Sequence, residues 1–171
     1  WAQAATYNDR KVKIEYVSSE HLTPDNVDEQ LGHVNGVVIC PGFGSRGIEG
    51  KFVAAKYTRE HNIPTFGICL GMQCMAIEFA RNVLGYADAN SIEMDEKTKH
   101  NVIDIMEEQK AITNMGGTMR LGAYECVLKK DSKVYEAYKE EHIQERHRHR
   151  YEFNNDYRKQ FEEAGMKCVG I

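Results

Sequence analysis

Long apolar runs are missing from this 171-residue chain: the longest are about four residues, such as Val37-Val38-Ile39-Cys40, far short of a bilayer span. No charged n-region followed by an apolar core opens the sequence, so no secretory leader is expected. Proline is scarce, with 3 residues, and a hydrophobic share of 42% beside 28% charged residues points to a soluble globular protein rather than a disordered or membrane one. Positive charge is not in excess. The net charge of −4 argues against a nucleic-acid surface spread over the whole molecule. The five cysteines form no C-x-x-C pair, and an odd count reads as reduced thiols in a cytoplasmic setting rather than a disulfide framework. No G-x-x-x-x-G-K-[ST] phosphate loop occurs, nor any internal repeat or low-complexity linker. The length suits one domain with one core, residues 1–171.

What is present is a succession of strand and helix signals. Lys11 to Val17 alternates charged residues with Val12, Ile14 and Tyr16, the period of a half-buried strand. Thr23-Pro24-Asp25 reads as a helix start, with Thr23 as cap. Gly36 to Cys40 is an apolar strand of the kind buried on both faces in a parallel sheet. A helix is expected over about Glu49–Glu60 and a strand over Thr65–Ile68. A helix then begins after Cys69, with Met72, Met75, Ala76, Phe79 and Val83 on one face. Met94 to Gln109 is charged and weakly periodic, a surface excursion. Leu121–Lys129 and Arg146–Phe153 read as strands, Lys133–Glu141 and Asp156–Ala164 as helices, with Gly165 as C-cap and a last strand at Met166–Val169. Strand, helix, strand, helix in this order predicts an α/β fold, doubly wound around a mixed, mostly parallel sheet.

Thr65-Phe-Gly-Ile-Cys-Leu-Gly-Met-Gln73 puts a cysteine between two glycines where a strand turns directly into a helix. Such a turn holds a nucleophile at the carboxyl edge of the sheet, beside the unpaired N–H groups and positive end of the helix dipole, which favour a thiolate and a developing oxyanion. Taken alone, G-x-C-x-G is equally compatible with a core thiol. Gly42 is open to an ordinary turn as well as to close approach of a substrate. Glu93 by itself reads as a solvated surface residue. The run Glu145-Arg-His-Arg-His-Arg-Tyr-Glu152 places Arg146, Arg148 and Arg150 on one strand face and His147 and His149 on the other. That stripe could hold phosphate or nucleic acid, and the histidine pair lacks a third ligand for a metal.

Four stretches in order, 41–51 (PGFGSRGIEGK), 69–93 (CLGMQCMAIEFARNVLGYADANSIE), 115–122 (MGGTMRLG) and 145–154 (ERHRHRYEFN), resemble the glutaminase domain of the CTP synthase family, within the class I glutamine amidotransferases. The resemblance runs over nearly the whole chain and implies a flavodoxin-like sheet. It implies Cys69 as the catalytic nucleophile and the backbone N–H groups of Gly42 and Leu70 as the oxyanion hole. It further implies Gly42, Leu70, Gly71, Met72, Gln73, Glu93 and Arg148 as the glutamine site, with Glu93 receiving the α-ammonium and Arg148 the carboxylate. Gly116, Gly117 and Arg120 fall in the family's lid, and Arg46 in its interdomain region. No metal or cofactor is expected in this domain. ATP, Mg and a GTP activator belong to the full-length enzyme, whose synthetase domain aminates UTP and which assembles as a homotetramer in the cytoplasm. L-glutamine and that synthetase domain are the implied partners; nucleic acid and membrane are not.

The family's opening strand and its QFHPE-type segment, which carries the catalytic histidine and glutamate, have no counterpart among these residues. The fold is therefore expected to be truncated at both ends and the isolated piece to turn over poorly. None of His142, His147 or His149 sits in a base motif. Another class I amidotransferase or cysteine hydrolase, or a non-catalytic domain of the same fold, are the rival readings.

Overall fold

Val37–Ile39 (β1) and Thr65–Gly67 (β2) are short apolar strands that pair in parallel, Val37 opposite Thr65 and Ile39 opposite Gly67. A computed structural model of the chain describes residues 1–105 and 120–171, with the backbone alone at 120 and 121. Parallel neighbours need a crossover, here Ile48–Glu60 (α3). Leu70–Asn82 (α4) follows β2 after a single intervening turn and touches β1, β2 and α3. Ahead of β1 lie two short helices, Ala2–Tyr7 (α1) and Val27–Leu31 (α2).

On the other side of α4, Asn90–Ser91 (β3) runs parallel to Asn101–Ile105 (β4), and β4 pairs antiparallel with Tyr151–Phe153 (β7). A separate antiparallel ribbon joins Arg120–Val127 (β5) to His142–His149 (β6) over eight residue pairs, so the α/β fold is mixed in strand sense. Lys133–Tyr138 (α5), capped by the Ser132 hydroxyl, and Arg158–Glu163 (α6) complete the chain. One core packs Phe52 of α3 and Cys74, Ile77 and Ala80 of α4 against Val102 and Ile103 of β4 and Phe161 of α6. A second packs α2 and β1 against α3 through Val27, Leu31, Ile39, Ala54 and Ala55. Arg59 of α3 grips the buried Glu78 carboxylate of α4 with bonds of 2.7 Å and 3.0 Å, clamping the two helices that flank the site.

Several expectations fail for physical reasons. Residues 11–17 form no strand: Val12, Ile14 and Tyr16 are exposed, and alternation without a ladder partner leaves extended coil. The first helix after Thr23 starts later, at Val27, because the Thr23 carbonyl accepts from both Asn26 and Val27 in a preceding turn. In α4 the sealed residues are Cys74, Ile77 and Ala80, while Met72 and Val83 are each 40% exposed. Of the expected face Ala76 and Phe79 are buried and Met75 packs against the second core, so the buried surface keeps the middle of that stripe and widens beyond it, because α4 is covered by α3 and by two sheets. The surface excursion expected over 94–109 holds for the exposed turn at 95–97 but not for 101–105, where Val102 and Ile103 are wholly buried in a strand hidden between polar flanks, and 106–109 lie outside the described residues. The last helix is split by a 3-10 turn at Asn155–Tyr157. The tail forms a bridge to β5 rather than a strand, Val127 and Ile171 exchanging N–H and carbonyl bonds. Gly165 does close α6, at φ +108°. Among the described residues no helix is long and apolar enough to cross a membrane.

Candidate active site

Only Ile68 and Cys69 separate β2 from α4; Cys69 is the residue that caps the helix, and its backbone sits at φ 55°, ψ −110°. A side chain with a Cβ in that region stores of order 1–3 kcal/mol of strain, retained where the surroundings over-determine it. Three hydrogen bonds do so. Ile68 N–H donates to the Ile39 carbonyl at 3.1 Å, Gly71 N–H to the Ile68 carbonyl at 2.9 Å, and Gln73 N–H to the Cys69 carbonyl at 3.1 Å. The flanking glycines are dictated by packing. A Cβ on Gly71 would stand 2.0 Å from the Ile39 carbonyl oxygen, and one on Gly67 would stand 2.7 Å from the Met72 nitrogen. Leu70 is the first residue of α4, so its N–H belongs to the set that a helix cannot satisfy internally.

The half-buried Cys69 opens into a cleft of about 110 Å³. Gly42 and Phe43, from the loop after β1, form one wall, and Leu70 and Gln73 of α4 form the floor. Gly42 and Leu70 are neighbours: a Cβ on Gly42 would stand 3.3 Å from the Leu70 Cδ2. Glu93 enters from the loop after β3, its N–H bound to the hydroxyl of the fully buried Ser91 at 3.2 Å. The remaining wall is His149, Arg150 and Tyr151.

Gln73 is 4% exposed; its Nε2 donates to the Tyr151 carbonyl at 3.3 Å, whereas its Oε1 is buried with no hydrogen-bond partner among the described residues. An orphaned buried acceptor at a cleft is a place for a ligand donor. Burial raises the Tyr151 phenol above its ordinary value, the charge of Glu93 adds to that, and Arg150 opposes it; a carboxylate and a guanidinium thus flank one ring. One turn along α4, burial pushes the Cys74 thiol up to about 11, so that sulfur is an inert core group.

The structure therefore brings together Cys69, Gly42, Leu70, Gln73 and Glu93. Of the other expected residues, Gly71 backs onto β1 and Met72 points to solvent at 40% exposure, so neither lines the cleft. Arg148 does not reach it either: it is exposed on β6, opposite Leu121. The physical reason is a bend at Arg150, where the chain leaves β5 and joins β4, which ends the strand alternation and turns Arg150 and Tyr151 inward beside His149. Nothing in the charge pattern of 145–152 marks that bend, so Arg150 and Tyr151 carry no sequence signal as cleft residues. Gly116 and Gly117 lie outside the described residues, and Arg120 opens β5 with its backbone opposite His149. Arg46 pairs with Glu20 at 2.8 Å on the surface. Among the described residues no group of three or more His, Cys, Asp or Glu is placed to hold a metal ion.

Comparison with known proteins bears on a strained cysteine at the head of a helix. Over 170 residues the chain is 99% identical to a CTP synthase of Bacteroides fragilis, covering 99% of this chain and 32% of that protein. It is 79% identical to a CTP synthase of Bacteroides thetaiotaomicron over the same share. The chain thus spans about a third of the curated relatives it matches. Among solved structures, the glutaminase domain of Trypanosoma brucei CTPS with bound acivicin superposes with a TM-score of 0.86 at 40% identity, covering 93% of this chain and 61% of that one. The family model described as glutamine amidotransferase class-I matches residues 1–171, and the chain belongs to that family.

Proposed function

We propose that this chain is the glutamine-hydrolysing part of a CTP synthase. The observation that carries the reading is Cys69, held in a left-handed backbone at the head of α4 and opening into a cleft that also presents Glu93 and Arg150. A free amino acid carries one ammonium and one carboxylate, and a cleft with one carboxylate and one guanidinium complements both. The Gln73 Oε1 offers a further acceptor to the ammonium. Arg150 takes the carboxylate role in this reading in place of Arg148.

The Cys69 thiolate attacks the side-chain amide carbon of L-glutamine, and the resulting oxyanion lies against the N–H groups of Leu70 and Gly42. The amide nitrogen takes a proton and leaves as ammonia, giving a glutamyl thioester. Water then hydrolyses the thioester to glutamate and restores the thiol. Ammonia passes to a synthetase portion that uses ATP and Mg to aminate UTP, under activation by GTP, in a cytoplasmic homotetramer. The proton carrier is a histidine beyond these 171 residues, by resemblance to the family, and on that basis the isolated chain turns over slowly. A second reading rests on His149, which lines the cleft and is the rival base. Substituting His149→Ala in the full-length protein separates the two: turnover survives if the base lies elsewhere.

Treating the full-length protein with acivicin or 6-diazo-5-oxonorleucine and mapping the adduct by mass spectrometry tests the central claim. One adduct on Cys69, blocked by excess L-glutamine and lost in Cys69→Ser, is expected. Labelling that ignores glutamine, or that falls on another cysteine, would sink the proposal.

A further inference from the structure

Lys51 stands in the first turn of α3, where the helix dipole disfavours a cation. Its Nζ reaches back to donate to the Cys40 carbonyl at 2.8 Å, at the point where β1 ends and the cleft loop begins. The same nitrogen lies 3.4 Å from where a Cβ on Gly42 would stand. Among the described residues no carboxylate forms an ion pair with it. The loop it meets contains Gly44 at φ +70° and Gly47 at φ +66°, backbone positions that hold little conformation by themselves. An ammonium on the unfavourable end of its helix, bound among the described residues to backbone alone, thus stands beside Gly42, which lines the cleft.

We infer that Lys51 is a positioning residue for the oxyanion hole: its ammonium ties the loop after β1 so that the Gly42 N–H stays beside that of Leu70, and it sets a positive charge behind the oxygen that becomes negative. The inference rests on the glutaminase reading above. Two effects follow from one group. Fixing the donor direction matters because an oxyanion donor acts only when aimed at the tetrahedral oxygen, and the charge acts most where water is excluded. Both effects grow as the carbonyl oxygen gains charge, so the ground state gains little and the transition state more. The position of Cys74 agrees, since Lys51 is a positive influence on that thiol as well, set against the larger effect of burial.

The experiment uses the full-length protein with Lys51→Met, Lys51→Gln and Lys51→Arg. It measures kcat and KM for glutamine hydrolysis, and the affinity for L-glutamate γ-semialdehyde, which adds the Cys69 sulfur to give a tetrahedral thiohemiacetal. Lys51→Met and Lys51→Gln should lower kcat by roughly tenfold to a hundredfold, with KM moving less than about threefold. Aldehyde affinity should fall by the same factor as kcat/KM, and Lys51→Arg should recover most of the loss. Where Lys51→Met fails to fold, Lys51→Gln, which keeps a donor and loses the charge, carries the test. Unchanged kcat in the neutral variants, or a loss confined to KM, overturns the inference. Wild-type protein that does not hydrolyse glutamine overturns the glutaminase reading itself, whereas wild-type turnover with indifferent Lys51 variants overturns this inference alone.

Discussion

Replacing Gly71 by Ala sets two physical effects against each other with opposite signs. Gly71 is the second residue of α4 and has a negative φ, so helix propensity alone favours Ala by up to about 1 kcal/mol. Packing says the reverse. The new Cβ would stand 2.0 Å from the Ile39 carbonyl oxygen and 2.8 Å from its carbon. That oxygen cannot withdraw freely, because it accepts the Ile68 N–H at 3.1 Å where β1 and β2 end together, and Ile39 is itself buried. Relief therefore requires the first turn of α4 to move off β1 by about 1 Å, an overpacking distortion that costs about 1–3 kcal/mol, with about 1 kcal/mol more from the weakened hydrogen bond.

The net expectation for Gly71→Ala, with the propensity gain subtracted, is a loss of about 1–3 kcal/mol in urea unfolding. Because Cys69 is carried on the same turn, a displacement of that size should also slow Cys69 labelling by a glutamine analogue by about a hundredfold. Gly85→Ala is the matched control: φ is +79° with open space around the site and no role in the cleft. It should cost about 1 kcal/mol for the left-handed backbone and leave labelling alone. A Gly71→Ala protein as stable as wild type, labelled at the wild-type rate, would refute the claim that the elbow is set by contact with Ile39.

Arg59→Ala strands the Glu78 carboxylate, which is 2% exposed, and should cost about 2–4 kcal/mol, read by chemical denaturation. Adding Glu78→Gln should restore part of that, since a neutral amide has no uncompensated charge. The Cys74 thiol keeps its proton up to about pH 11 in the fold but releases it near 9 when unfolded. Its contribution is thus intact below pH 9 and lost as pH rises towards 11, by up to about 3 kcal/mol. The fall in unfolding free energy between pH 8 and pH 10.5 should be smaller in Cys74→Ala than in wild type. Arg150→Ala should raise the KM for glutamine by roughly tenfold to a hundredfold, the range of a charge-assisted hydrogen bond, while Arg148→Ala leaves it near wild type.

The contrast between those two arginines shows where sequence reading reaches and where it stops. The elbow was legible because every determinant is local: two glycines, a cysteine, an apolar strand before and a helix after, all within 65–73. Strand β1, α3 and β2 were legible to within a residue or two for the same reason. Residues 11–17 had the alternation of a strand, but a strand exists only when another supplies its ladder. Val102 and Ile103 had the opposite fate, two apolar side chains among polar neighbours that become wholly buried because α4 and β7 close over them.

The make-up of the cleft wall depends on such distant closures. Gln73 reaches the Tyr151 carbonyl across 78 residues of sequence, and Arg150 arrives in the cleft only because the chain leaves one sheet for another at that residue. Alternation along 146–150 assumes a strand that continues, and it assigns faces correctly only as far as the last pair with β5, His149 opposite Arg120. One residue later the frame of reference changes from β5 to β4, and a rule of period two has no means of registering the change. The strained cysteine in this fold is therefore specified by neighbours in sequence, and the residues that wall its cleft by neighbours in space.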